Sequence, residues 1–401
     1  MDKIDNKIEL LAPAGNLERL KIALLYGADA VYFGGRNYSL RANAKNLDID
    51  EIKEACIYAH NLNKKVYVTV NIVFHNEDVL GLLDYLKQLE VCGVDAVIVS
   101  DPLVVKMIKD NKIKIPVHVS TQYSTINYEA INFWKSMGVE RVVLGRELSK
   151  EEIKEIIDKT GMDVEIFIHG AMCASYSGRC VLSNYFTNRD ANRGGCAQIC
   201  RWDFSLLKDG ISVDDTKKFS MCSKDLCMLE YIPDIISIGV KSLKVEGRMR
   251  SIYYIAVVIN NYRRAIDEYY NNSLDKDKIK RYRHELDKVA NRDSIDQFFN
   301  GMTSEREQYF LGRVEDSNQD FLGLIDEYDG EYVTVISKNY FKKGDKVDII
   351  SPDRDMITFI LPDIYDMDGN LLDASRHPED KVKFKLDKLV KKYDMLRISI
   401  L

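Results

Sequence analysis

A glycine followed almost at once by an apolar, partly β-branched run recurs along the chain, in Gly27-Ala-Asp-Ala-Val-Tyr-Phe-Gly, Gly93-Val-Asp-Ala-Val-Ile-Val-Ser, Gly138-Val-Glu-Arg-Val-Val-Leu-Gly and Gly239-Val-Lys-Ser-Leu-Lys-Val-Glu. Each copy reads as a helix stop feeding a buried strand. Further strands are expected at Ile8–Ala12, Val66–Val70, Val117–Ser120 and Val164–Ile168, with amphipathic segments such as Ile49–Asn61 and Val79–Leu89 between them. Apolar strands that alternate with helices need a parallel sheet covered on both faces. Eight such units over about 250 residues fit an α/β fold of the closed (β/α)8 TIM-like barrel type. An open doubly wound sheet is the competitor. It is disfavoured because Leu11-Ala-Pro-Ala-Gly, and no Gly-rich phosphate loop, follows the first strand.

The repeat is interrupted once. After the seventh strand ends at Ile168, a long segment passes before Ser242–Val245 supplies the eighth, and insertions of that length usually carry function. The seventh strand of such a barrel ends at the catalytic face, so the insertion is expected to overhang the mouth. It holds Cys173, Cys180, Cys196 and Cys200, half of the chain's 8 cysteines, separated by steps of seven, sixteen and four residues. Zinc sites favour paired C-x2-C knuckles, which these four lack, whereas iron–sulfur clusters accept looser spacings. Ser177-Gly178 and Gly194-Gly195 allow sharp turns and backbone donors around a cluster. Cys222 and Cys227 complicate the count, and Cys227 is the alternative fourth ligand. Cys56 and Cys92 lie on amphipathic helices, where a buried structural thiol is the expectation.

Three domains are expected: residues 1–268 as the barrel with the cysteine-rich insertion at 169–240, residues 269–306 as a charged helical connector, and residues 307–401 as a small β-barrel. The last rests on short strands at Phe310-Leu-Gly-Arg-Val, Tyr332-Val-Thr-Val-Ile, Gly344-Asp-Lys-Val-Asp-Ile-Ile, Ile357-Thr-Phe-Ile-Leu, Val382-Lys-Phe-Lys-Leu and Leu396-Arg-Ile-Ser-Ile. No signal-like N-terminus and no apolar run of about 18 residues is present, so a cytoplasmic protein without a membrane segment is expected. In that compartment clustered thiols favour metal over disulfides. A net charge of -6 leaves any nucleic-acid partner dependent on a local patch.

The stretches Glu165-Ile-Phe-Ile-His-Gly-Ala-Met-Cys-Ala-Ser-Tyr-Ser-Gly-Arg-Cys, Arg189-Asp-Ala-Asn-Arg-Gly-Gly-Cys-Ala-Gln-Ile-Cys-Arg-Trp and Lys244-Val-Glu-Gly-Arg-Met-Arg-Ser closely resemble the collagenase-like peptidase family U32. Glu9-Leu-Leu-Ala-Pro-Ala-Gly, Leu40-Arg-Ala-Asn-Ala-Lys and the C-terminal β module extend the likeness over nearly the whole chain. Within that family the pattern is most similar to the prephenate-dependent tRNA uridine hydroxylases. The resemblance implies a 5-hydroxyuridine-forming enzyme acting at the wobble position without molecular oxygen, with prephenate as co-substrate. It also implies a 4Fe-4S cluster on Cys173, Cys180, Cys196 and Cys200, tRNA as substrate, and room for a paralogous partner subunit.

Strand-end groups supply the other candidates. His169 and Glu246 are the catalytic ones. Arg41, His118, Arg146, Lys244 and Arg248 are candidates to hold a substrate such as prephenate, whose two carboxylates call for forked or ammonium donors. Arg189, Arg193, Arg201 and Trp202 combine guanidinium and aromatic faces suited to RNA. The alternatives are a collagenase-like peptidase, with Cys173 as nucleophile paired to His169, or a hydroxylase of another RNA or of a small aromatic substrate. The chain has neither a G-x-S-x-G elbow nor an H-E-x-x-H helix, which argues against proteolysis.

Overall fold

The computed structural model describes residues 7–40, 46–214, 218–290, 292–309 and 320–399. The chain divides into two compact units, residues 1–315 and 316–401. Arg41 and the expected strand at 310–314 lie outside the described residues. Among the described residues, no helix is long and apolar enough to cross a membrane.

The first unit is the expected barrel. Its strands are β1 (Glu9–Pro13), β2 (Ala30–Gly34), β3 (Lys65–Val70), β4 (Ala96–Val99), β5 (Val117–Val119), β6 (Arg141–Val143), β7 (Asp163–Gly170) and β8 (Ser242–Val245). Each pairs in parallel with the next, and β8 closes the ring by pairing with both β7 and β1. Helices α1 (Leu17–Leu25), α2 (Ile49–Asn61), α3 (Leu82–Cys92), α4 (Pro102–Asp110), α5 (Tyr128–Ser136) and α6 (Lys150–Thr160) link the strands. The recurring glycines are where helix turns into strand: Gly27, Gly93, Gly138 and Gly239 have φ of 110, 81, 85 and 94°, a region that penalises any Cβ. Helix starts are equally local, as in the reciprocal capping of Asp48 with Glu51 and of Ser149 with Glu152.

β7 outruns its neighbours and takes on an antiparallel strand, Asp225–Cys227, at its far end, and that strand pairs in turn with Ser294–Ile295. The insertion leaves at Gly170, whose position a Cβ could not occupy without meeting the Glu246 backbone at 2.8 Å. It contains the short α7 (Leu182–Thr187) and returns through α8 (Ile232–Ser237) to β8. The closing helix α9 (Ile252–Tyr270) is buried along most of its length, and α10 (Lys276–Val289) packs against it. Tyr282 donates to Glu268 at 2.8 Å, and Arg283 donates to Ser294. The charged connector is thus part of the first unit, because its Tyr282, Leu286 and Val289 stripe is buried.

The second unit is an antiparallel sheet curled into a half-barrel. Its strands run in the order Ile357–Ile360, Lys346–Ile350, Met395–Ile398, Phe321–Tyr328, Tyr332–Ser337, Lys381–Lys385, Ile364–Tyr365 and Leu371–Leu372. Its concave core holds Leu322, Ile325, Val333, Val335, Phe341 and Phe384. Phe321–Tyr328 escapes a sequence reading because Gly323 breaks its pattern. There a Cβ would stand 2.4 Å from Val335, so only glycine lets the strands approach. Arg397 and Asp348 form a fully buried ion pair at 3.3 Å, and Thr358 donates to the same carboxylate at 2.7 Å.

Candidate active site at the barrel mouth

Inside the barrel, alternate residues of each strand point inward, and the lower layer is charged. Glu9 accepts from Arg141 at 2.5 Å, from Ser242 at 2.8 Å and from Tyr67 at 2.7 Å. Glu165 bridges Arg141 Nη1 at 3.5 Å and Lys244 Nζ at 2.7 Å. Burial pushes the Glu165 carboxyl up, but Lys244 and Arg141 outweigh it and hold the group below the usual carboxylate range. Burial draws Lys244 down from the usual lysine value, opposed by Glu165. Lys244 also stands 4.3 Å from the Tyr32 ring centre, a cation–π contact that fixes the ammonium at the floor of the mouth.

Above this floor is a recess lined by Tyr32, Asn71, Ser120, Arg146, Phe167, Lys244, Glu246 and Arg248. Of the sequence candidates it brings together Arg146, Lys244, Glu246 and Arg248. Arg248 is buried and donates to Ser39 at 3.0 Å and to Thr69 at 3.2 Å, so it braces the wall. Arg146 lies over the Phe167 ring at 5.0 Å, donates to the Ala171 carbonyl at 2.8 Å and reaches Cys173 Sγ at 3.8 Å. It therefore links the recess to the cysteine loop.

Both histidines lie elsewhere. His118 is buried beneath the recess with its ring edge-on to Tyr67, 4.9 Å between centres, and burial followed by Arg141 lowers its pKa to about 3. Strict alternation would send His169 into the barrel with Glu165 and Phe167. Instead the register shifts where β7 meets β8, so that Lys244 faces Phe167 but Val245 faces His169. This bulge turns His169 outward to α9, with ring centres 5.9 Å from Tyr254 and 5.6 Å from Tyr262. Burial, then Arg283 and Arg250, lowers its pKa to about 3 as well. Cys227 shares that pocket, 3.6 Å from the Tyr262 hydroxyl, and burial pushes its thiol up.

The insertion is fastened over the mouth by polar contacts. The Ser177 amide donates to Glu147 at 2.9 Å, Ser124 donates to the Ser177 carbonyl, and Gly178 lies so close to Gln122 that no Cβ would fit. Val73 donates to the Asn192 carbonyl at 3.0 Å. Arg193, an RNA candidate from the sequence, clasps Asp78 and reaches Glu77 at 3.3 Å, which commits it to holding the loop. Arg201 donates to Gln198 at 3.2 Å, whereas Arg189 and Trp202 are exposed.

None of the eight cysteines is in a disulfide. Burial pushes Cys200 up to about 11; Arg201 opposes this, and the neighbouring Cys173, Cys222 and Cys196 add to it, so four thiols share one neighbourhood. Cys222, one of the two further cysteines that complicate the count in the sequence, joins them from across the insertion. Among the described residues no three His, Cys, Asp or Glu groups gather as tightly as one metal ion requires. Thiolates are soft donors of the kind that both zinc and iron–sulfur clusters accept.

Residues 15–309 match the family described as Peptidase family U32, and residues 317–397 match its C-terminal domain. The chain is 48% identical over 402 residues to "tRNA hydroxylation protein P1" of Bacillus subtilis, covering 98% of this chain and 95% of that protein. It is 37% identical to "tRNA hydroxylation protein P" of Escherichia coli, over 65% of this chain and 68% of that protein. It is 34% identical to a "Collagenase" of Porphyromonas gingivalis, over 74% of each. With its barrel, its cysteine-rich insertion and its C-terminal half-barrel all covered, this chain belongs to peptidase family U32.

Proposed function

We propose that this protein is a tRNA hydroxylase that forms 5-hydroxyuridine at the wobble position, with prephenate as co-substrate and an iron–sulfur cluster on the insertion. The observation that carries the reading is Arg146, which lines the polar recess and touches Cys173, joining a binding site for a small anion to the thiols. The names of the bacterial relatives, one of them 48% identical over nearly the whole chain, support RNA hydroxylation. Cys173, Cys196 and Cys200, with Cys180 as the family resemblance implies or Cys222 as the neighbourhood of Cys200 suggests, would hold the cluster. Such a cluster supplies electron transfer or polarisation of a bound oxygen function.

The chain's own residues do the rest. Lys244 and Arg146 present positive charge to carboxylates, and Arg146 keeps donors beyond the one it gives Ala171. Tyr32 and Phe167 add aromatic surface to the recess and hold Lys244 and Arg146 in place through cation–π contacts. A thiol peptidase reading fares worse, because the bulge turns His169 to Tyr254 and Tyr262, where it is no base for Cys173.

The test is nucleoside mass spectrometry of tRNA from cells lacking the gene and any paralogue. Loss of 5-hydroxyuridine derivatives is expected, and an unchanged level sinks the assignment. Iron and sulfide assays on anaerobically purified protein address the cluster. Iron that falls away in Cys173→Ala and Cys196→Ala is expected, and colourless, iron-free wild-type protein counts against it.

A further inference from the structure

The insertion also carries aromatic side chains that the fold does not bury. Tyr185 is 85% exposed, Phe186 54%, Tyr176 54% and Trp202 45%. Solvated rings on a loop that is otherwise tied down are costly unless something covers them, and several together mark an interaction surface. Their scaffold is ordered. α7 packs against the turn Ile199–Arg201 that precedes Trp202, and the Ala197 amide donates to Ser183 of α7 at 3.0 Å. The Phe186 ring lies edge-on to Phe204, 6.0 Å between centres, and Phe204 is paired through its backbone to Phe219. Tyr176 stands beside Ser177 and Gly178, which touch Ser124 and Gln122 on the barrel rim.

Charge selects the occupant. Arg179 and Arg189 are exposed and flank α7 in sequence, while Asp190 is turned to its own loop, accepting from the Asn192 amide at 2.8 Å. Flat rings interleaved with exposed guanidinium groups complement a chain that alternates flat bases with phosphates, and they fit it only where the bases are unpaired. A duplex hides its base faces and would leave these rings in water.

We propose that Tyr176, Tyr185, Phe186 and Trp202 form a stacking platform for unpaired nucleobases beside the reacting nucleotide, with Arg179 and Arg189 on the phosphates. The substrate is then held as a single-stranded loop. The proposal rests on the RNA reading above and deepens it by naming the side chains that hold the unpaired bases.

Fluorescence anisotropy with the full chain tests it, using a labelled stem–loop RNA and a blunt duplex of the same stem. The wild type should prefer the stem–loop. Tyr185→Ala and Trp202→Ala should each weaken stem–loop binding roughly 5- to 100-fold, with Tyr185→Phe retaining affinity and urea midpoints unchanged. Arg189→Gln should flatten the salt dependence by about one phosphate contact. Equal wild-type affinity for loop and duplex, or alanine variants that bind like wild type, overturns the proposal. So does wild-type self-association that the alanine variants abolish while RNA binding persists, because the patch would then belong to a second copy. Binding is read without turnover. Loop binding without hydroxylation therefore counts against the reaction, and hydroxylation with unaltered binding in the variants counts against the platform.

Discussion

The barrel interior and the outer face of the insertion treat charge and aromatic surface in opposite ways. Beneath the mouth Arg141, Glu165 and Lys244 are buried, Glu9 is partly so, the four are paired with one another, and Tyr32 and Tyr67 pack against them. On the insertion, Tyr185 and Phe186 face water, as do Arg179 and Arg189. A buried ion pair is retained only when each charge is answered, so the interior network sets geometry and rigidity. Exposed rings add little to stability, so their placement is explained by what they meet. The two regions share Arg146, and through it the position of the cysteine loop depends on the floor of the barrel.

The sharpest way to break this contrast is Glu165→Ala, which leaves Lys244 and Arg141 buried without their shared carboxylate. A loss of about 3–5 kcal/mol in urea unfolding is expected. A loss under about 1 kcal/mol would mean that water enters the barrel and the network is not the rigid part.

A pH series probes the same interior. His118 and His169 are neutral in the folded chain until about pH 3 but protonate near 6.5 once unfolded. Between those values the unfolded chain binds more protons, so stability is full above about pH 6.5 and falls by roughly 1 kcal/mol per unit per histidine as pH drops. His118→Phe, which keeps a ring against Tyr67, should shallow that slope. Parallel curves for variant and wild type would show that His118 gains access to solvent.

Arg193→Ala tests the clasp between the two regions. A cost on the order of 1 kcal/mol is expected, together with faster proteolytic cleavage within residues 171–240. Unchanged cleavage would shift the anchoring to Ser177 and Glu147. The smallest effect belongs to Tyr185→Ala, whose stability should stay within about 0.5 kcal/mol of wild type. A larger drop would make the ring part of the fold and remove the contrast.

Much of the fold was legible because its signals are local. The four glycines mark helix-to-strand turns that any chain must make through positive φ, and the apolar runs between them have no alternative to a covered parallel sheet. Lys244 and Glu246 were readable as strand-end groups for the same reason. The C-terminal strand Phe321–Tyr328 was not, because Gly323 is there for the approach of Val335, a residue on another strand. Arg193 carried no mark distinguishing it from Arg189. Only the proximity of the loop at Asp78 makes one a clasp and leaves the other in solvent.

From the sequence alone, periodicity determined the barrel, and the break in that periodicity placed the thiols at its mouth. Tertiary structure decided which side chains face each other. Alternation along β7 points His169 inward until a bulge, formed only where β7 and β8 meet, turns it to α9. Cys222 likewise reaches the neighbourhood of Cys200 only because the insertion folds back on itself. Spacing and periodicity report on neighbours along the chain, whereas register shifts and loop closure depend on contacts between segments far apart in sequence.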